Sequence, residues 1–320
     1  MLILNHDEVL AALSPEDCAD AMAAVLVARA RGEARMPLRS VIPFEGAAGF
    51  MATMPAWRGG EDPVFALKSL CIIPSNPSRG LDTHQGAVTL FDGSIGAPTA
   101  ILNASAVTEV RTAAVSAVAT RLLARENARV LAILGAGVQG RAHLRSLAPV
   151  RAFDEVRVYA PSREHARALA DGGASVASSA EEAVRGADVV VLATSSPEPV
   201  ISREWLARGA HVNAVGASVP SVRELDVATV AACALFCDSR ESLRNEAGEF
   251  RLAVEQGAIA GEDHVRGELG EVLAGMAPGR ADPEELTVFR SLGLAVEDLA
   301  AAERAVARAR ELGIGTEVEL

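Results

Sequence analysis

The sequence predicts an α/β protein: a doubly wound parallel sheet joined to a second domain of α+β character. Three observations carry that prediction. An apolar run at 130–134 flows into Gly135-Ala136-Gly137-Val138-Gln139-Gly140 and then into a helix-like stretch at 141–147. After it, strand-like and helix-like segments alternate, as a parallel sheet covered by helices on both faces requires. Before it, short β-like segments are separated by prolines without intervening helices, which fits a mixed or antiparallel sheet. The length of 320 residues accommodates two domains of ordinary size.

From the N-terminus, Asn5 reads as a cap before a short helix. Ser14-Pro15-Glu16-Asp17 opens a longer one with a capping serine, a proline in the first position and acids in the first turn. That helix runs to Arg31 and stops at Gly32. Strand-like segments follow at 38–44, 49–54, 64–71 and 86–92, with Pro37, Pro43, Pro55 and Pro63 between or beside them. Residues 91–98, Phe-Asp-Gly-Ser-Ile-Gly-Ala-Pro, have the composition of a hairpin turn. A strand at 99–102 leads to Asn103-Ala104-Ser105, a cap for the next helix, and Arg111 opens an apolar helix at 112–123.

Three cations interrupt apolar runs here: Arg39, Lys68 and Arg111. A charge inside such a run loses hydration and needs a partner or a task. A guanidinium presents a planar fork matched to a carboxylate, and an ammonium carries a proton that can titrate. The set suits an α-imino or α-keto acid.

The glycine segment has the order of a Rossmann-type dinucleotide site: strand, tight turn, helix. Gly135 permits the turn, Gly137 lets the backbone approach a pyrophosphate, and Gly140 lets the helix pack on the strand. Val138 and Gln139 belong to the helix start, whose N–H groups meet negative charge. Further strands are predicted at 156–159, 189–193 and 211–215, and helices at 163–170, 180–185 and 203–206. Ligands of such sheets bind beyond the carboxyl ends of the strands, which places Thr194, Gly216 and Ser218 toward cofactor or substrate. About 20 residues past the motif an NAD site usually carries an acid. Here the chain reads Val158-Tyr159-Ala160-Pro161-Ser162-Arg163. Ser162 and Arg163 suit a ribose phosphate, so NADP(H) is expected to be preferred, with NAD(H) possible. A long helix is expected at 291–312, ended by Gly313 and returning to the first domain.

A net charge of −12 argues against nucleic acid or an anionic membrane as partner. No run is long enough to span a bilayer, and the acidic start does not resemble a secretion signal. Cys18, Cys71, Cys233 and Cys237 read as reduced core thiols of a cytoplasmic protein, and no metal site is expected.

Several segments together make the sequence resemble the ornithine cyclodeaminase/mu-crystallin family over nearly its whole length. They are Arg39-Ser40-Val41-Ile42-Pro43, Met54-Pro55-Ala56, Thr83-His84-Gln85-Gly86, Arg111-Thr112-Ala113-Ala114-Val115-Ser116, the glycine turn, Asn213-Ala214-Val215-Gly216-Ala217-Ser218, Arg223-Glu224-Leu225-Asp226 and Ser291-Leu292-Gly293. The resemblance is closer to the mu-crystallin/ketimine reductase branch. It implies a homodimer, a Rossmann domain at 113–293, and a substrate-binding and dimerisation domain at 1–112 completed by the C-terminal helix at 294–320. By position, Arg39 and Arg111 match the residues that hold the substrate carboxylate, and Lys68 the catalytic lysine. Thr112 matches a contact to the cofactor phosphate. Thr83, His84, Gln85, Ser291 and Leu292 fall on the cofactor side. Met54 and Glu246 fall on the substrate side.

Cyclodeaminases carry a catalytic aspartate where this chain has Ser218. A hydroxyl cannot take a proton from an ammonium as a carboxylate can. The implied activity is therefore reduction of a cyclic imino acid, with Ser218 orienting substrate or relaying a proton. Asp226 is close in sequence but sits in the separate Arg-Glu-Leu-Asp segment and is not taken as the missing base. Ornithine cyclodeaminase, alanine or another amino-acid dehydrogenase, and an NADPH-dependent binding protein are the rival readings.

Overall fold

The computed structural model describes residues 1–320, apart from the side chain of Pro77. The chain forms two compact units, one of Met1–Arg111 with Leu294–Leu320, the other of Thr112–Gly293.

The first unit begins with β1 (Leu2–Leu4), α1 (His6–Ala12), α2 (Pro15–Ala30) and β2 (Ala34–Arg35). Asn5 and Glu8 cap α1 reciprocally, and Ser14 caps α2. Then come β3 (Ser40–Pro43), β4 (Phe50–Arg58), β5 (Val64–Ile72), β6 (His84–Asp92) and β7 (Pro98–Asn103). Strand β4 runs past the expected stop at Pro55. That residue falls between the stretch paired with β3, Phe50 to Thr53, and the stretch paired with β2, Trp57 to Arg58. No strand on that side requires the N–H that proline lacks. The Asp92 carboxylate accepts from Ser94 and Ile95 N–H and closes the hairpin.

Helix α3 (Ala104–Leu123) is one continuous helix, capped by Asn103. Arg111 therefore lies two turns inside it rather than opening it, and the division between the units falls there.

The second unit continues with β8 (Val130–Leu134), α4 (Val138–Leu147), β9 (Glu155–Tyr159), α5 (Arg163–Ala170), β10 (Ser175–Val176), α6 (Ala180–Val184), β11 (Val189–Leu192) and β12 (His211–Ala214). After these come α7 (Val227–Ala232), β13 (Ala234–Cys237), α8 (Arg240–Glu246), α9 (Gly248–Glu255), β14 (Val265–Glu268), α10 (Leu269–Leu273) and β15 (Thr287–Arg290). The helix expected at 203–206 is only a 3-10 turn, Arg203–Trp205. The strands form one parallel sheet in the order β10-β9-β8-β11-β12-β15-β13-β14. Alternate residues of its central strands feed two apolar cores: Leu131, Ile133, Val189 and Val191 one, Ala132, Leu134, Val190 and Leu192 the other. Both faces are thus covered, as parallel sheets require.

Buried polar side chains stitch α3 to this sheet. His143 meets Ser116 Oγ at 2.9 Å, Asn213 donates to Thr120 Oγ1 at 2.9 Å, and His211 meets Thr287 Oγ1 at 2.9 Å. Burial holds the two imidazoles far below the ordinary histidine range, His143 at about 4 and His211 at about 3.

The chain ends with α11 (Ala295–Leu312) and β16 (Thr316–Glu317), both in the first unit. Helix α11 starts four residues later than expected. Gly293 has a φ of 79°, and Asp238 accepts from Leu292 and Gly293 N–H, which holds the preceding loop out of the helix. The first unit's sheet runs β16-β1-β7-β6-β5-β4-β2, with β3 also on β4. Its inner face (Ala52, Met54 and Ala56 of β4; Ala66, Lys68 and Leu70 of β5) is buried, and α11 packs on these strands and on α2. Its outer face leaves Met51 and Phe65 exposed.

Three cysteines are buried, but Cys71 is exposed, so it is not a core thiol. Among the described residues no helix is long and apolar enough to cross a membrane, and no cluster of three acids, cysteines or histidines could hold a metal.

Candidate active site

Strand alternation decides the environment of Lys68. It shares parity with Ala66 and Leu70, in register with Met54 of β4 and Val88 of β6, so it points into the helix layer from a central strand. It cannot snorkel to water from there, and it is 2% exposed. Its ammonium donates to Asp298 Oδ1 at 2.9 Å and to Thr108 Oγ1 at 2.6 Å. The same Oδ1 accepts from Arg111 Nε at 3.0 Å, and Arg111 Nη1 donates to Glu297 Oε2 at 3.1 Å. Two cations and two acids thus form one buried cluster inside the first unit.

Burial pushes the Lys68 ammonium down to about 8; Asp298 opposes the shift, and Arg111 and Arg39 add to it. Burial also raises the Asp298 carboxyl, but Lys68 and Arg111 outweigh it and hold the acid below its ordinary value. Lys68 is moreover the only lysine of the chain; the other 29 basic side chains are arginines. An arginine is always charged, whereas a buried lysine titrates. The single exception stands where a proton is exchangeable.

Arg39 sits half-buried just before β3, near enough for its charge to lower Lys68. Met54 is buried beside Lys68. Thr83, His84 and Gln85 lie at the start of β6, where the Gln85 amide donates to Asp82 O at 3.0 Å. The His84 ring keeps solvent contact, but crowding by protein and then the charges of Lys68 and Arg111 hold it below the ordinary histidine value.

In the second unit the glycine turn has the shape a dinucleotide needs. Gly135 has a φ of 108°, and a Cβ there would lie 2.2 Å from Ala193 O. A Cβ on Gly140 would lie 2.0 Å from Gly135 O. A Cβ on Gly137 would meet nothing within 4 Å, leaving the backbone open to a ligand. No side chain caps α4, so the amides around Val138 and Gln139 face outward uncapped. Thr112 Oγ1 is buried without a hydrogen-bond partner among the described residues, consistent with a hydroxyl kept for a bound group. These residues fit a nicotinamide dinucleotide.

Ser162 caps α5, accepting from His165 N–H at 3.3 Å, and Arg163 is exposed beside it. Thr194 and Gly216, at the ends of β11 and β12, are tied together by Glu224, which accepts from Thr194 N–H and Oγ1 and from Gly216 N–H. Ser218 lies in the loop after β12, braced by the buried Arg290, which donates to Ala214 O and Ala217 O and pairs with Glu249. Ser291 is buried and bonded to Ala214 O, Leu292 is held by Asp238, and Glu246 ends α8, buried. Asp226 is the N-cap of α7, accepting from Thr229 N–H at 2.8 Å, so a helix start occupies it.

Sequence reasoning missed Asp298, Glu297, Glu224 and Arg290. The first two look like ordinary first-turn acids of a helix. The remaining signal was composition: the alanine-rich first half of the helix, buried throughout 295–302, leaves Glu297 and Asp298 no route to water.

The ornithine cyclodeaminase/mu-crystallin family model matches residues 1–312. The mouse ketimine reductase mu-crystallin is 41% identical over 275 residues, 85% of this chain and 84% of that protein. The Thermococcus litoralis Δ1-pyrroline-2-carboxylate reductase, in complex with NADH and L-proline, superposes with a TM-score of 0.93 at 34% identity, over 99% of this chain and 100% of that one. An archaeal alanine dehydrogenase dimer with bound NAD gives the same TM-score at 34% identity, over 100% of this chain and 99% of that one. With the family model matching nearly the full sequence and a relative 41% identical over most of both chains, the chain belongs to the ornithine cyclodeaminase/mu-crystallin family.

Proposed function

We propose that this protein is an NAD(P)H-dependent reductase of imino acids, cyclic ones foremost, acting on a C=N bond beside a carboxylate. The observation that carries the reading is the sole lysine, buried with Arg111 around one carboxylate oxygen. The kinship with imine reductases supports it. Reduction adds a hydride to carbon and a proton to nitrogen. The glycine turn, with Thr112, Thr194, Gly216, Ser291 and Leu292, would hold a nicotinamide cofactor, which when bound would supply the hydride. Lys68 supplies or stabilises the proton. Arg39 and Arg111 bind the carboxylate, which fixes the imine and accounts for much of the rate. Arg111 does so as a cation already anchored on α11, not as an unattached fork. Met54, beside Lys68 in the first unit, and Ser218 and Glu246 in the second are each assigned to the substrate by the family resemblance. Thr83, His84 and Gln85 are assigned to the cofactor by the family resemblance alone.

Ser162 and Arg163 support a preference for NADP(H) over NAD(H), since no acid stands at the end of β9. The exposed apolar outer face of β3 to β5, with Val41, Met51 and Phe65, supports a homodimer. A cytoplasmic location fits four cysteines that form no disulfide among the described residues. The test is an NADPH-oxidation screen of five- and six-membered cyclic imino acids, against pyruvate with ammonia and ornithine with NAD. Turnover confined to pyruvate with ammonia would make it an alanine dehydrogenase. Tight NADPH binding without any turnover would make it a binding protein.

A further inference from the structure

One oxygen, Asp298 Oδ1, accepts from both Lys68 Nζ and Arg111 Nε, so it bridges two mutually repelling cations. Its other oxygen, Oδ2, is buried and has no hydrogen-bond partner among the described residues. An acid kept only to fasten α11 to the sheet would use both oxygens, because an unpaired buried oxygen is costly. Thr108 narrows the geometry further. Its hydroxyl donates to Ala104 O at 2.6 Å, so toward Lys68 it acts as an acceptor. Of the three N–H groups of the ammonium, Asp298 and Thr108 take two, and the direction of the third follows.

We propose that Asp298 is a positioning residue: it holds the Lys68 ammonium charged beside Arg111 and aims its remaining N–H at the substrate. The inference rests on the reductase reading for its purpose. The other charges that act most on Lys68, Arg111 on α3 and Arg39 before β3, are cationic and lower it. Glu297 is engaged with Arg111. Cys18 of α2, within electrostatic reach of Asp298, has its thiol pushed up by burial and kept protonated. Of the two acids of the cluster, Asp298 is the one bonded to Lys68.

A chain with a single lysine makes this directly measurable. Protein grown with lysine labelled at the ε-carbon gives one side-chain resonance, and its titration reads Lys68 alone, with or without turnover. In the wild-type holoenzyme the midpoint should fall near the value of about 8. In Asp298→Asn it should drop by about one unit or more, because burial and Arg111 then act unopposed. The alkaline limb of kcat should move with it while KM for the cofactor stays put. Asp298→Glu keeps the charge on a longer arm. Its midpoint should stay within about a few tenths of wild type while kcat falls about tenfold from misdirection. An unmoved midpoint in folded Asp298→Asn, or full kcat in Asp298→Glu, overturns the proposal; the glutamate variant decides alone if the asparagine variant does not fold. A wild type that reduces no imino acid, with the midpoint shift intact, would remove the reductase reading and leave the Lys68–Asp298 linkage standing.

Discussion

Replacing Lys68 by methionine separates catalysis from stability. The unbranched stem and most of the volume remain, so the inner face of β5 stays filled, and only the ammonium is lost. Two effects on stability oppose each other. Removing one partner of a buried pair costs about 3–5 kcal/mol. Against this, the native state holds Lys68 at about 8 rather than 10.5. That downward shift means the ammonium is held charged against the pull of burial, which brings the loss below the usual range. Asp298 also keeps Arg111 on Oδ1. The net loss should be about 0–2 kcal/mol, a melting shift of a few degrees. Turnover has no such compensation. Loss of a positioned proton donor lowers kcat by about 10²–10⁴-fold, roughly 3–5 kcal/mol of barrier. The assay follows cofactor absorbance with a cyclic imino acid, beside a thermal melt and a fluorescence titration of NADPH. A kcat within about threefold of wild type, with cofactor affinity unchanged, would refute the role of Lys68.

Four further outcomes are expected. His143 and His211 are held at about 4 and about 3, against 6.5 for an ordinary imidazole. Their contribution is complete above pH 6.5 and is lost as pH falls toward those values, because the unfolded chain binds protons that the native one refuses; between pH 6.5 and about 5 this amounts to about 2 kcal/mol each in urea unfolding. His143→Gln should remove its share of that slope. Gly137→Ala should leave the melting temperature within a degree or so but raise the cofactor KM about tenfold or more, since its Cβ fills space that only a ligand uses. Arg163→Ser should raise KM for NADPH about tenfold and leave NADH nearly unchanged, and equal effects on both would remove the phosphate contact. Phe65→Asp, on the exposed outer face, should halve the mass measured by light scattering, while an unchanged mass would place any dimer contact elsewhere.

What the sequence disclosed follows from how local each signal is. The glycine turn, the paired caps of α1 and α2 and the hairpin at Asp92 are decided within a few residues, and all are legible. Parity is local too, so Lys68 among Ala66 and Leu70 already pointed inward. Its partner was not legible, because Asp298 follows it by 230 residues and is disguised as a helix-start acid. Only the docking of α11 onto β4 and β5 turns that acid from a capping group into a buried charge. Glu224 is hidden in the same way, since its three hydrogen bonds reach 30 and 8 residues away. Position 68 carried one signal that needed no structure. Arginine serves wherever this chain needs only a positive charge, so a lone lysine marks the one place where a cation must also be able to give up its proton.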